Sequence, residues 1–262
     1  MTGEILQPMM KRLFVTDLDG TALGGDYPVY ARIPECLAET LDYLSENGWD
    51  WAINTTWDVE GQWKLVQDSP LKSRPAYLIG EFGRKIATIR DEHLVYLQPW
   101  CDDNDRKIRD FTRQKTVPLM NALNQAFVPE KLHFYGHLFE YVTTADCKKM
   151  EEFAERYPEK RDFHIRINPE KRSFSIRPAF LGKGPPVREI MKLEHLTPGQ
   201  VVTAGDEPPD LEMMVEEITT HPVCPANADE AVKQHVRNRG GIVADKPYGA
   251  GVAAALRSIV FP

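Results

Sequence analysis

The chain of 262 residues concentrates its chemistry in two short stretches, each an apolar run that breaks into acids and a glycine. The first, Arg12 to Thr21, reads Arg-Leu-Phe-Val-Thr-Asp-Leu-Asp-Gly-Thr; the second, Val201 to Asp210, reads Val-Val-Thr-Ala-Gly-Asp-Glu-Pro-Pro-Asp. Alternate residues of an extended chain point the same way, so side chains or carbonyls from Asp17 and Asp19 can share one small hard cation. Gly20 permits the sharp exit that keeps both near the strand tip. An Asp-x-Asp-Gly segment also makes an ordinary turn. The coincidence of an apolar strand, paired acids and Thr21 favours chemistry over a plain turn.

These acids need elements to hold them. Leu13-Phe14-Val15 has the content of a buried parallel strand, whose carboxyl end is where open α/β sheets place ligands. After a loop at Gly24-Gly25-Asp26, Pro34 opens a helix with Leu37, Leu41 and Leu44 at helical spacing, ended by Asn47-Gly48. A second strand, Trp49 to Asn54, runs into Thr55-Thr56 and then a short helix carrying Val59, Trp63 and Val66. The same alternation resumes at Gly182-Lys183-Gly184, where Pro185 and Pro186 open a helix with Val187, Ile190 and Met191. It continues through Val201–Asp210, Val223, a helix after Asn227-Ala228-Asp229, Gly241 to Val243 and a final apolar helix; Asn227 reads as a helix cap.

Between the two halves the texture changes. Short strands are expected at 76–79, 84–89 and 94–97, around Gly83 and the Asp91-Glu92-His93 turn. A helix over 102–126, interrupted near Pro118, leads to strands at 132–134 and 139–142, a helix at 145–157, and strands at 163–168 and 173–177. The expected fold is therefore α/β: a Rossmann-like doubly wound parallel sheet core, residues 1–81 and 179–262, with an inserted α+β cap at residues 82–178.

Composition narrows the function classes. A net charge of −7 and a pI near 5.6 leave no basic excess for nucleic acid, and they do not forbid a small phosphorylated substrate, for which a local cation and a few Lys or Arg must balance the charge. Cys36, Cys101, Cys147 and Cys224 show no Cys-x-x-Cys spacing, which indicates neither a zinc site nor a disulfide framework. Met1 to Gln7 carries Glu4, and nowhere do some 18 apolar residues run together, so neither a signal peptide nor a membrane span is expected, and a cytoplasmic protein follows.

Asp17-Leu18-Asp19-Gly20-Thr21 resembles the first motif of the haloacid dehalogenase-like superfamily, and the position of the insertion resembles the Cof-like and sucrose-phosphatase-like branches. The resemblance implies a magnesium-dependent phosphatase working through an aspartyl-phosphate: Asp17 as nucleophile, Asp19 as general acid/base. It implies that the Thr55 hydroxyl and Lys183 bind the phosphoryl group, with Gly20, Thr21 and Thr56 also against substrate. The metal would be held by Asp17, the carbonyl of Asp19 and Asp206, with Asp210 steadying its waters or Lys183. Thr55 also reads as a cap for the next helix. Two departures stand out: Thr55-Thr56-Trp57 replaces the Thr-Gly-Arg of Cof-type members, and Pro209 stands where many relatives have Asn. Within the cap, Arg166, Lys171, Arg172, Arg177, His137 and Glu140 are candidates to touch a sugar hydroxyl or second anion. The motifs leave open phosphotransfer to a sugar hydroxyl, as in a phosphomutase, and a non-catalytic phosphometabolite-binding role.

Overall fold

The computed structural model describes residues 11–24, 32–135 and 137–260. Gly25 and Asp26 of the expected loop, and the segment Met1 to Gln7, lie outside the described residues. The chain divides into two compact units, one of residues 1–97 and 183–262 and one of residues 98–182.

The first unit is built on an eight-stranded sheet. β1 (Arg12–Thr16), β2 (Trp49–Asn54) and β3 (Tyr77–Gly80) are joined through α1 (Glu35–Glu46) and α2 (Val59–Asp68). β4 (Lys85–Arg90) and β5 (His93–Tyr96) extend the sheet as antiparallel strands. After the second unit come α6 (Gly184–Leu193), β10 (Val201–Ala204), β11 (His221–Cys224), α7 (Glu230–Asn238), β12 (Ile242–Val243) and α8 (Tyr248–Val260). The strand order is β12-β11-β10-β1-β2-β3-β4-β5, parallel from β12 to β3.

Leu13, Phe14 and Val15 are at most 1% exposed, which is why β1 reads as an unbroken apolar run: helices cover both faces of a parallel sheet. Leu37, Leu41 and Leu44 bury the inner stripe of α1, and the tryptophan ring of Trp51 is fully enclosed. Because the chain leaves β1 toward β2 on one side and β10 lies on the other, the carboxyl end of β1 is the switch point at which such sheets form their crevice.

Residues 82–97 fall in this sheet, whereas the change of texture places them in the insertion. That change marks a switch from parallel to antiparallel pairing within one sheet. β4 keeps only Ile86 and Ala87 fully buried, and the chain turns back through Glu81 and Phe82, both at positive φ, and Gly83.

The second unit holds α3 (Gln98–Phe111), α4 (Val117–Ala126), β6 (Pro129–Tyr135), β7 (Leu138–Thr143), α5 (Cys147–Arg156), β8 (Phe163–Asn168) and β9 (Ser173–Pro178). A π-helical turn, Thr112–Thr116, separates α3 from α4 just ahead of Pro118, which has no N–H to give and crowds the preceding turn. The antiparallel sheet runs β6-β7-β9-β8. Its core is aromatic: Phe139, Tyr141, Phe163 and Phe174 pack with Leu119, Leu123 and Met150. All four cysteines are free thiols.

Candidate active site

Asp17 leaves the end of β1 with its N–H donated to the Ala204 carbonyl (3.0 Å), so the tips of β1 and β10 are locked together. The turn that follows is closed by Gly20 N–H to Leu23 O (2.9 Å) and Leu23 N–H to Leu18 O (2.8 Å). Gly20 sits at φ +79°, and a Cβ there would strike the Asp206 carboxylate. The glycine therefore lets the β1 turn reach the β10 turn.

Lys183, at the mouth of α6, is 4% exposed and pairs with Asp17 Oδ1 (2.6 Å) and Asp210 Oδ1 (2.5 Å). Its backbone is fixed from both sides: the N–H donates to Glu212 Oε2 (3.0 Å) and the carbonyl accepts from Asn54 Nδ2 (2.8 Å). Asp17, Asp206 and Asp210 bring carboxylate oxygens within 4.8 Å of one another. Asp210 is saturated, because its Oδ2 accepts the N–H groups of Asp206 (2.9 Å) and Glu207 (3.0 Å) while Oδ1 faces the ammonium. It shapes the β10 turn. Pro208 and Pro209 begin the 3-10 turn that follows, where a missing N–H is harmless, so Pro209 leaves both amides to Asp210.

The electrostatics follow from burial. Burial pushes the Asp17 carboxyl up to about 8 against the pull of Lys183, and Asp210 and Asp206 add to the rise. Burial likewise raises Asp206 to about 7, opposed by the Thr21 hydroxyl. Lys183 is held protonated: burial works against its charge, but Asp17 and Asp210 outweigh it and raise its pKa. One ammonium thus faces three buried carboxylates. Asp17 Oδ2 and Asp206 Oδ2 keep lone pairs that no hydrogen bond among the described residues uses. An all-oxygen donor set short of positive charge fits a hard divalent cation.

Other expected residues take other places. Thr21 is fully buried and donates its hydroxyl hydrogen to Asp206 Oδ1 (2.6 Å), so it orients that carboxylate. Thr55 is 1% exposed and its Oγ1 has no hydrogen-bond partner among the described residues. The cap of α2 is Asp58, which accepts the Gly61 N–H (2.6 Å), so the capping alternative for Thr55 is removed. Thr56 is exposed beside it. Asp19 is half-buried and turns its Oδ2 to the indole N–H of Trp57 (2.9 Å). Asn227 is not the cap of α7, whose N-cap position is Asp229; its amide bridges the Gly20 carbonyl (2.8 Å) and the Tyr248 N–H (2.8 Å). No local pattern announces the Trp57 or Asn227 contacts, since each joins segments far apart in sequence.

In the second unit, Arg177 is buried and donates to the Leu181 carbonyl, and Glu140 accepts from Ser173 Oγ (2.8 Å). Lys171 and Arg172 stand exposed on the β8–β9 turn, Arg166 is exposed on β8, and His137 is half-buried in the β6–β7 turn.

Comparison with known proteins agrees with this architecture. The sucrose-phosphatase of Synechocystis sp. PCC6803, solved with sucrose and phosphate, shares 18% identity at TM-score 0.67, covering 95% of this chain and 98% of its own. A Thermoplasma acidophilum protein shares 16% at TM-score 0.66, over 96% and 99% of the two chains. A Bacteroides thetaiotaomicron phosphatase of the haloalkanoate (HAD) enzyme superfamily shares 15% at TM-score 0.62, over 98% and 99%. At these identities the likeness speaks for the fold. No curated protein sequence matches the chain. The family model of sucrose-6F-phosphate phosphohydrolase matches residues 10–258, so the chain belongs to that phosphatase family.

Proposed function

We propose that this phosphatase is magnesium-dependent and hydrolyses a small sugar phosphate through a phosphoryl-aspartate formed on Asp17. The observation that carries this is the Asp17–Lys183–Asp210 chain beside Asp206, an acid cluster with its nucleophile, its counter-charge and spare oxygen ligands in one buried place. Asp17 Oδ attacks phosphorus while the ester P–O bond breaks, and Asp19 gives its proton to the departing alkoxide. Asp19, now ionised, takes a proton from water, which cleaves the phosphoryl-aspartate and frees Asp17 and phosphate. The Thr55 hydroxyl, buried and without a partner among the described residues, can donate to a phosphoryl oxygen, and Lys183 balances the charge that gathers there.

Asp17, Asp206 and the Asp19 carbonyl would hold the cation, with Thr21 aligning Asp206 and Asp210 fixing its turn. When bound, magnesium supplies positive charge that draws the phosphoryl oxygens to the nucleophile. Specificity for the alcohol part of the substrate is assigned to the second unit. The sugar is favoured by the family and by the sucrose and phosphate bound to the Synechocystis protein. No helix among the described residues is long and apolar enough to cross a membrane.

The test is phosphate release from a panel of sugar phosphates, nucleotides and an aryl phosphate, each with magnesium and with chelator. Magnesium-dependent release concentrated on one sugar phosphate is the expected result. Release unaffected by chelator would overturn the metal assignment, and transfer of phosphate to an added sugar in preference to water would replace hydrolysis with phosphotransfer.

A further inference from the structure

We propose, on the footing of the phosphatase reading above, that Trp57 is a positioning residue for Asp19: its indole N–H holds the carboxylate that trades protons with the leaving group and with water. The residue stands where Cof-type members carry the arginine of Thr-Gly-Arg, so nothing in that motif assigns it this work.

Three observations support it. The indole Nε1–H donates to Asp19 Oδ2 at 2.9 Å, joining the loop after β2 to the turn after β1 across 38 positions of sequence. The ring packs against the core of the first unit, which fixes the direction of the N–H. The Trp57 backbone is braced as well: its carbonyl accepts from Glu81 N–H (3.0 Å) and from Gln62 Nε2 (3.1 Å), and Gln62 is fully buried with a second bond to the Ile79 carbonyl (3.0 Å).

The brace carries strain. Glu81 and Phe82 are consecutive residues at φ +55° and +56°, a conformation disfavoured for both, and it is the Glu81 N–H that holds Trp57. Gly80 completes it, since a Cβ there would lie 2.7 Å from the Trp57 carbonyl oxygen. A rigid donor on a flexible carboxylate confines that carboxylate to one rotamer. The other oxygen, Oδ1, which accepts no hydrogen bond among the described residues, is then the one presented for proton transfer.

Removing the donor should therefore hurt substrates in proportion to their need for an acid. Trp57→Phe keeps the ring and deletes the N–H. We expect kcat/KM for an alkyl phosphate to fall about 10- to 100-fold, and for para-nitrophenyl phosphate, whose leaving group departs without a proton, to fall less than about threefold. In an Asp19→Ala background the same substitution should add no further loss for the alkyl phosphate, because Trp57 acts through Asp19. A direct readout is the Trp57 indole N–H resonance, identified by its absence in Trp57→Phe, which should move upfield in Asp19→Ala.

Equal losses for both substrates in Trp57→Phe, or additive losses with Asp19→Ala, would overturn the positioning role while leaving the phosphatase intact. An indole resonance unmoved by Asp19→Ala would overturn the contact whatever the activity. A wild-type chain that releases phosphate from no ester would overturn the phosphatase reading and this role with it.

Discussion

At the scale of single residues, Asp17 combines burial, a lysine partner and a place at the tip of β1. Asp17→Asn should abolish turnover, to below about one part in a thousand, while keeping the far-ultraviolet spectrum and a cooperative melt; retained activity would remove Asp17 as nucleophile. Lys183→Met leaves Asp17 and Asp210 buried without their ammonium and should cost about 3–5 kcal/mol in denaturant unfolding. The raised pKa values give a second handle. Asp17 and Asp206 hold protons in the folded chain up to about pH 8 and 7, while unfolded aspartates release them near 3.8. Between those limits the native state binds more protons than the unfolded one, so this stability is full below about pH 4 and is lost as pH rises toward 8. With chelator, the melting temperature should fall from about pH 5 to about pH 8, and magnesium should remove most of that slope; a chelated protein that grows steadily more stable over this range would contradict it. Asp17, Asp206 and Lys183 were legible in sequence because each ends or begins a patterned element. Thr21 was legible as a candidate site residue but not as the partner of Asp206, and Trp57 only as a departure from Thr-Gly-Arg and not as the partner of Asp19, because those hydrogen bonds cross from one loop to another.

At the scale of elements, the site is a meeting of turns. The β1 turn reaches the β10 turn only because Gly20 has no side chain, and Asn227 ties the Gly20 carbonyl to the start of α8. Gly20→Ala should therefore push Asp206 aside and strain the backbone, costing about 1–3 kcal/mol and weakening magnesium activation more than it raises KM for the ester. Unchanged metal dependence in that variant would show that the two turns do not need their close approach. The strands and helices that carry these turns were legible almost throughout, since buried parallel strands and helical apolar spacing leave strong patterns. The second unit's helix break near Pro118 was legible too, from proline's missing N–H. What the pattern did not separate was β4 and β5 from the insertion. Antiparallel strands at a sheet's edge have one exposed face and the same alternation as strands of another domain, so composition alone marks no boundary at residue 82.

At the scale of the whole molecule, the acid cluster and its lysine belong to one of the two compact units. Asp17, Lys183, Asp206 and Asp210 all lie in the first unit, and the second unit contributes none of them. Its sheet buries Phe139, Tyr141, Phe174 and Ile176 on one face. On the alternate positions the register aligns His133, Glu140, Ser175 and Arg166 in one row across all four strands. A row of mixed donors and acceptors on a rigid sheet suits hydroxyl recognition, since each group is fixed by strand pairing and few need move to bind. If selection belongs to this unit, Glu140→Gln combined with Arg166→Gln should raise KM for the preferred sugar phosphate about tenfold or more. The same double variant should leave kcat/KM for para-nitrophenyl phosphate and the magnesium concentration for half-activation within about twofold, because neither residue belongs to the unit that does the chemistry. A matching loss on the aryl phosphate would place these residues in folding or in the reaction itself, and an unchanged KM for every sugar phosphate would move the search for specificity to the first unit, beginning with Thr56 beside the buried Thr55.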